Sequence, residues 1–129
     1  MQNTLARVVL GSSALSSVTL PIMLRHLHWL PVEYRIKFKL AKLVFNTRNN
    51  SAPLYLTCLL DDYVAGRSLL SSQSNLLTVP SYRLNFGARS FRVAAPTVWN
   101  SLPADIRACS QHGTFTCHLK AFYYNAAFN

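Results

Sequence analysis

Apolar positions along this chain recur mostly at intervals of three and four, the spacing of one face of a helix. In the opening "MQNTLARVVLG", Leu5, Val8 and Val9 share a face, and Gly11 stands where the helix would be capped. A second short helix is predicted through "PIMLRHLH", with Thr19 two residues ahead of Pro21 as its N-terminal signal. Pro31 can open a longer helix, because proline is tolerated in the first turn. Within that helix Val32, Ile36, Leu40, Leu43 and Val44 form one apolar stripe. Phe38, Ala41 and Phe45 form a second, nearly opposite, and Arg35, Lys39 and Lys42 run between the two as a basic strip. A helix apolar on two sides is expected to be packed on two sides. That expectation weighs against a helix lying on a membrane surface, which needs one apolar and one polar face.

Further along, "TRNNSAP" reads as a turn by composition, and "APLYLTCLL" as a short helix. From Asp61 to Gln73 the pattern is irregular and Ser-rich. "LLTVP" and "RSFRVA" read as two short strands, with Gly87 as the turn residue between them. "APTVWNSLPADIRA" has the look of two helical pieces broken at Pro103. The tail "TFTCHLKAFYYNAAF" is helical, with Phe115, Leu119, Phe122 and Ala126 on one face. The predicted fold class is mainly α with a small antiparallel β-hairpin (α+β). The chain forms one unit, 1–129, with a helical part over 1–62 and a hairpin and helical part over 63–129.

Composition changes this picture in one respect. Half of the 129 residues are hydrophobic, which excludes a disordered chain. Thirteen Lys and Arg face four acids, for a net charge of +9, while charged residues total only 13% against about 25% in ordinary soluble domains. A positive field on an oily surface attracts polyanions and implies that part of the surface is normally covered. Arg35, Lys37, Lys39, Lys42, Arg89, Arg92 and Arg107 are the candidate phosphate contacts, with Trp29 as a candidate stacking residue. Cys58, Cys109 and Cys117 are too few for a disulfide framework, and their odd number points to a reducing compartment. The uncharged run from Val8 to Leu24 is diluted by serines, Gly11 and Pro21 below what a bilayer span needs.

Candidate chemistry is sparse. The pair Asp61–Asp62 in "LLDDY" superficially matches the metal-holding aspartates of polymerases, but it lacks the preceding aromatic and the expected hairpin. It reads better as a loop with two solvated acids. Cys109, His112, Cys117 and His118 give a C-x2-H-x4-C-H cluster whose ligand order is wrong for a zinc knuckle. His26 and His28 have no nearby carboxylate or cysteine to complete a catalytic set. No Gly-rich phosphate loop and no G-x-S-x-G is present, so neither catalytic nor metal residues are assigned.

Taken in order, "MQNTLARVV", "LHWLPVEYRIKFKLAKLVF", "APLYLTCLL", "RSLLSS", "LTVPSYRLNFGARSFRVAAPTVWNSLPADIR" and "FTCHLKAF" resemble a known family. It is the C-terminal tail of the reverse transcriptase polyprotein of non-LTR retrotransposons, LINE elements of the jockey and chicken-repeat type. The resemblance covers nearly the whole chain, and "HWLP", "RIKFKL" and "AAPTVWNSLP" carry most of its specificity. Such parents are RNA-directed DNA polymerases with an endonuclease, and they copy their own RNA from a nick in the target DNA. The resemblance implies that the Mg²⁺-binding catalytic palm lies upstream, so this stretch would hold no cofactor and no activity of its own. It also implies an appendage of a larger polymerase rather than a self-standing fold. Implied partners are RNA or DNA and the missing palm and thumb, with no membrane, in the nuclear setting of the parent activity. The alternative is a small protein-interaction adaptor derived from a mobile element. Met1 stands where the family usually has Leu, and Leu70 where it has Arg, as expected of a truncated, decaying copy.

Overall fold

A computed structural model describes residues 2–9, 11, 20–50, 53–64, 75–83 and 86–128. In chain order these form α1 (Gln2–Val9), α2 (Leu20–His26), α3 (Val32–Asn50), α4 (Leu54–Thr57), a 3-10 turn (Gly87–Arg89), α5 (Phe91–Asn100), α6 (Ala104–Arg107) and α7 (His112–Phe128). Local stereochemistry sets several of these limits. Gly11, at φ +60°, gives its N–H to Val8 O at 3.2 Å and ends α1, a left-handed position that suits glycine. Pro31 accepts from Arg35 N–H at 3.0 Å and opens α3. Pro103 separates α5 from α6, as the sequence indicates.

Helix α3 is the centre of the packing. Its residues Ala41, Val44 and Phe45 meet Ala95 and Trp99 of α5 and Phe115, Leu119 and Tyr123 of α7, with Leu77, Leu102 and Ile106 completing the cluster. The buried α7 residues fall at i, i+4 and i+8, one helical stripe. The face is therefore turned slightly from the one expected, with Tyr123 inside and Ala126 exposed. Phe45 and Phe115 stack with centroids 4.2 Å apart, and Trp99 tilts against Phe115 at 5.9 Å. Burying each such side chain contributes roughly 1.5–3 kcal/mol. A smaller cluster of Ala6, Met23 and Leu24 sits with Trp29 and Phe128. One phenol bond ties its helix α2 to α7, Tyr124 Oη donating to Arg25 O at 3.1 Å, and a second ties α3 to α7, Tyr34 Oη donating to Ala126 O at 2.9 Å.

Two expectations about fold class are overturned. No strand or sheet occurs among the described residues, so the β-hairpin is absent. "RSFRVA" instead leads into α5, because Val93, Pro96 and Trp99 bury at helical intervals that the short apolar alternation around Phe91 conceals. Gly87 begins a 3-10 turn, not a hairpin turn. "LLTVP" is extended, but among the described residues its only ladder contact is an isolated antiparallel bridge between Asp62 and Leu77. The appendage expectation also lacks support, since the helices close over a core of their own.

Leu77 shows how a strand-like residue is satisfied without a sheet. The bonds Tyr63 N–H to Leu76 O and Thr78 N–H to Asp61 O lie on one side of it. Its own N–H and C=O turn to the Asn100 side chain, whose Oδ1 accepts at 2.9 Å and whose Nδ2 donates at 2.7 Å. The amide thus stands in for a neighbouring strand. Likewise, "TRNN" is not a turn: α3 continues to Asn50. Thr47 is 1% exposed and donates to Leu43 O, while Arg48 reaches Asp62 and Asn75, so tertiary contacts hold the last helical turn.

Candidate nucleic-acid interface

The basic strip on α3 forms as its spacing predicts. Arg35 and Lys39 are exposed and Lys42 is half-buried, and none of the three makes an ion pair among the described residues. Lys37 points elsewhere: its Nζ bonds Glu33 Oε1 at 2.6 Å and lies 5.1 Å from the Tyr34 ring centroid. The pair spans one helical turn on the surface, so Lys37 is the least available of the four.

The apolar stripe beside the strip departs from expectation. Val32 is 54% exposed, Ile36 55% and Leu43 39%, while only Val44 of that stripe is fully buried. Helix α3 is thus packed on the Ala41–Phe45 side, and its opposite side presents aliphatic and basic residues together. On α1 the predicted apolar face behaves the same way, with Leu5, Val8 and Val9 exposed while Ala6 is the buried residue.

At the start of α3 these features converge on a groove of about 620 Å³. Trp29, Leu30, Val32 and Phe38 supply apolar wall, and Arg35 with Lys120 of α7 supplies positive charge. Two of the sequence candidates, Trp29 and Arg35, therefore share one site. His28, at φ 53°, also lines it and stacks on Tyr124 with centroids 5.7 Å apart. An aromatic wall with basic neighbours can take a base against its ring and a phosphate against its cations.

The other candidates lie apart from this groove. Arg89 ends the 3-10 turn and Arg92 stands in the first turn of α5, both exposed. Arg107, at the end of α6, is half-buried; its Nε donates to Leu102 O at 3.0 Å, and desolvation lowers its pKa from the ordinary guanidinium value. It lines a separate cleft with Arg48, a residue absent from the sequence candidates. Lys120 was also missed. Its signal is weak, since one lysine on an aromatic-rich helix has no periodic partner.

The remaining constellations resolve as structural. The Asp62 carboxylate pairs with Arg48 at 3.0 Å, whereas Asp61 contributes only its backbone carbonyl, which accepts from Thr78 N–H at 2.8 Å, and its side chain is exposed. Cys109 Sγ lies 3.8 Å from His118 Nδ1, whereas His112 sits edge-on to Phe45. Among the described residues no three His, Cys, Asp or Glu side chains gather as a metal would require. Nor is any described helix long and apolar enough to cross a membrane.

Compared with known proteins, the chain matches no protein-family model, no curated protein and no solved structure. The likeness to LINE polymerases rests on its sequence blocks alone.

Proposed function

We propose that this chain is a non-catalytic nucleic-acid-binding domain, the remnant of the C-terminal tail of a LINE-type RNA-directed DNA polymerase. In the parent it would help hold template RNA or target DNA during target-primed reverse transcription. The observation that carries this reading is the strip of Arg35, Lys39 and Lys42, unpaired by any described carboxylate and running beside the groove of Trp29, Arg35 and Lys120. Lysine and arginine contacts to phosphate displace counterions, so the predicted binding weakens steeply with salt. Nothing in the strip is arranged to read a base edge, and recognition of sequence is not expected. Arg89 and Arg92 would add long-range attraction.

The test is fluorescence anisotropy of RNA and DNA oligonucleotides over about 50–200 mM salt. A log–log slope near zero, or no binding at the low-salt end, would sink the proposal.

A second reading has its own support. Val32, Ile36 and Leu43 interrupt the basic strip with exposed aliphatic surface, which suits an adaptor that docks a protein partner. Ile36→Ser separates the two. Loss of a salt-insensitive protein association, with oligonucleotide affinity intact, would favour the adaptor.

A further inference from the structure

The cap that ends α2 holds one residue in a conformation its side chain disfavours. Trp29 N–H bonds Leu24 O at 2.9 Å and His28 N–H bonds Arg25 O at 3.1 Å, the paired bonds of a Schellman cap. Such a cap puts one residue in the left-handed region, where glycine or asparagine is usual; here it is His28, at φ 53°. A side chain kept where the backbone disfavours it points to a use for that side chain. His28 is exposed and stacks on Tyr124 of α7, with centroids 5.7 Å apart and planes 13° from parallel. It lines the groove beside Trp29 and also a second cavity of about 480 Å³, which Ile22, Arg25, His26 and Tyr124 complete. The two cavities therefore meet at one imidazole.

We propose that the second cavity is a further subsite for an unpaired nucleic-acid strand, which crosses His28 from the Trp29 groove to Arg25. This subsite rests on the nucleic-acid reading of α3 and extends the interface to α2 and α7. Arg25 makes no ion pair among the described residues, and none of the described carboxylates lines either cavity. Of the four acids, Glu33 is held by Lys37 and Asp62 by Arg48, while Asp61 and Asp105 lie outside both cavities. Carbonyls at a helix end repel a phosphate, but here they are engaged. Arg25 O accepts from both Tyr124 Oη and His28 N–H, and Leu24 O accepts from Trp29 N–H. The rings of His28 and Tyr124 then offer a base a stacking surface beside the Arg25 guanidinium. Trp29 and Arg35 make the same pairing of ring and charge in the adjoining groove.

The test is fluorescence anisotropy of labelled oligo(U) and oligo(dT), about 12 nucleotides long, with three variants of the full chain. His28→Gly removes the ring and suits the left-handed backbone, so the thermal midpoint should hold or rise. Its single-strand affinity should nonetheless fall about tenfold, the size of losing one stacked base. Should loss of the Tyr124 stack lower the midpoint instead, His28→Asn, which also tolerates the left-handed region, takes its place. Arg25→Gln should lower the salt slope by about 0.7. Arg35→Gln, in the adjoining groove, is the reference and should do the same. Weakening in Arg25→Gln and in the His28 variant, with the midpoint kept, supports the subsite. Salt-dependent binding that falls in Arg35→Gln but is unchanged in Arg25→Gln or in the His28 variant overturns the subsite alone. A parent chain that binds neither strand overturns the α3 interface and the subsite together.

Discussion

Asn100 offers the sharpest test of how this fold is held. Replacing it by alanine leaves the N–H and C=O of Leu77 without their partners, at a residue only 2% exposed. Each buried backbone group left unpaired costs roughly 1–3 kcal/mol. Some relief is expected, because among the described residues the segment is anchored to residues 61–63 by two backbone bonds and one from Thr78 Oγ1 to Asp62 O, and it can shift toward water. The net cost should be about 2–4 kcal/mol, read as a lowered midpoint in urea unfolding. Asn100→Asp refines the argument. Its carboxylate can still accept from Leu77 N–H but presents lone pairs to Leu77 C=O, whereas the protonated acid regains a donor. The fold should therefore raise the carboxyl pKa above about 3.9. The sign follows: the stabilisation is present below the unfolded pKa and is lost as pH rises through the folded one. Relative to the parent chain, the Asp variant should be least impaired in acid. An Asn100→Ala cost below about 0.5 kcal/mol, the range of an ordinary surface change, would refute the claim that this amide replaces a strand. So would an Asp variant whose deficit is independent of pH.

Other expectations follow from single side chains. Tyr123 Oη is buried with no partner among the described residues, and burial pushes its pKa up to about 12. Tyr123→Phe should raise stability by about 1 kcal/mol, measured by urea unfolding at neutral pH. In the parent chain the unfolded phenol ionises near 10 and the folded one near 12, so stability should fall across that window, and the Phe variant should lose less there. Phe115→Ala removes the ring that stacks on Phe45 and tilts against Trp99, and should cost roughly 3–5 kcal/mol in the same assay. Replacing Arg35, Lys39 and Lys42 together by Gln should leave the thermal midpoint nearly unchanged while reducing the salt slope of single-strand binding by about two.

Positions governed by local stereochemistry were legible in the sequence. Gly11, Pro31 and Pro103 mark ends and starts that depend on φ and on a missing N–H, and those limits stand. The failures cluster where a short window fits two periods. Phe91 and Val93 alternate as a strand would, but Trp99, eight and six residues further on, decides the period. "TRNN" is polar enough for a turn, and only distant Asp62 and Asn75 reveal why it stays helical. The candidate site divides in the same way. A strip of three cations at helical spacing is readable from α3 alone, whereas the meeting of Trp29 with Lys120, or of Arg48 with Arg107, depends on how α3 packs against α5 and α7.

The exposed side of α3 limits what its strip can bind. Val32, Ile36 and Leu43 are interleaved with Arg35 and Lys39, so a ligand reaching both cations must also lie over aliphatic surface. A duplex offers that surface only its solvated phosphate backbone, and burying phosphate against Ile36 without a hydrogen-bond partner is costly. A single strand differs, because its bases can turn to the apolar side while its phosphates stay with the lysines. Trp29 and Phe38 at the adjoining groove extend the same arrangement of ring beside charge. The interleaving therefore favours unpaired strands over duplex wherever α3 engages nucleic acid. It also joins the oily surface and the positive charge, the two abnormal features of the composition, on one face of one helix.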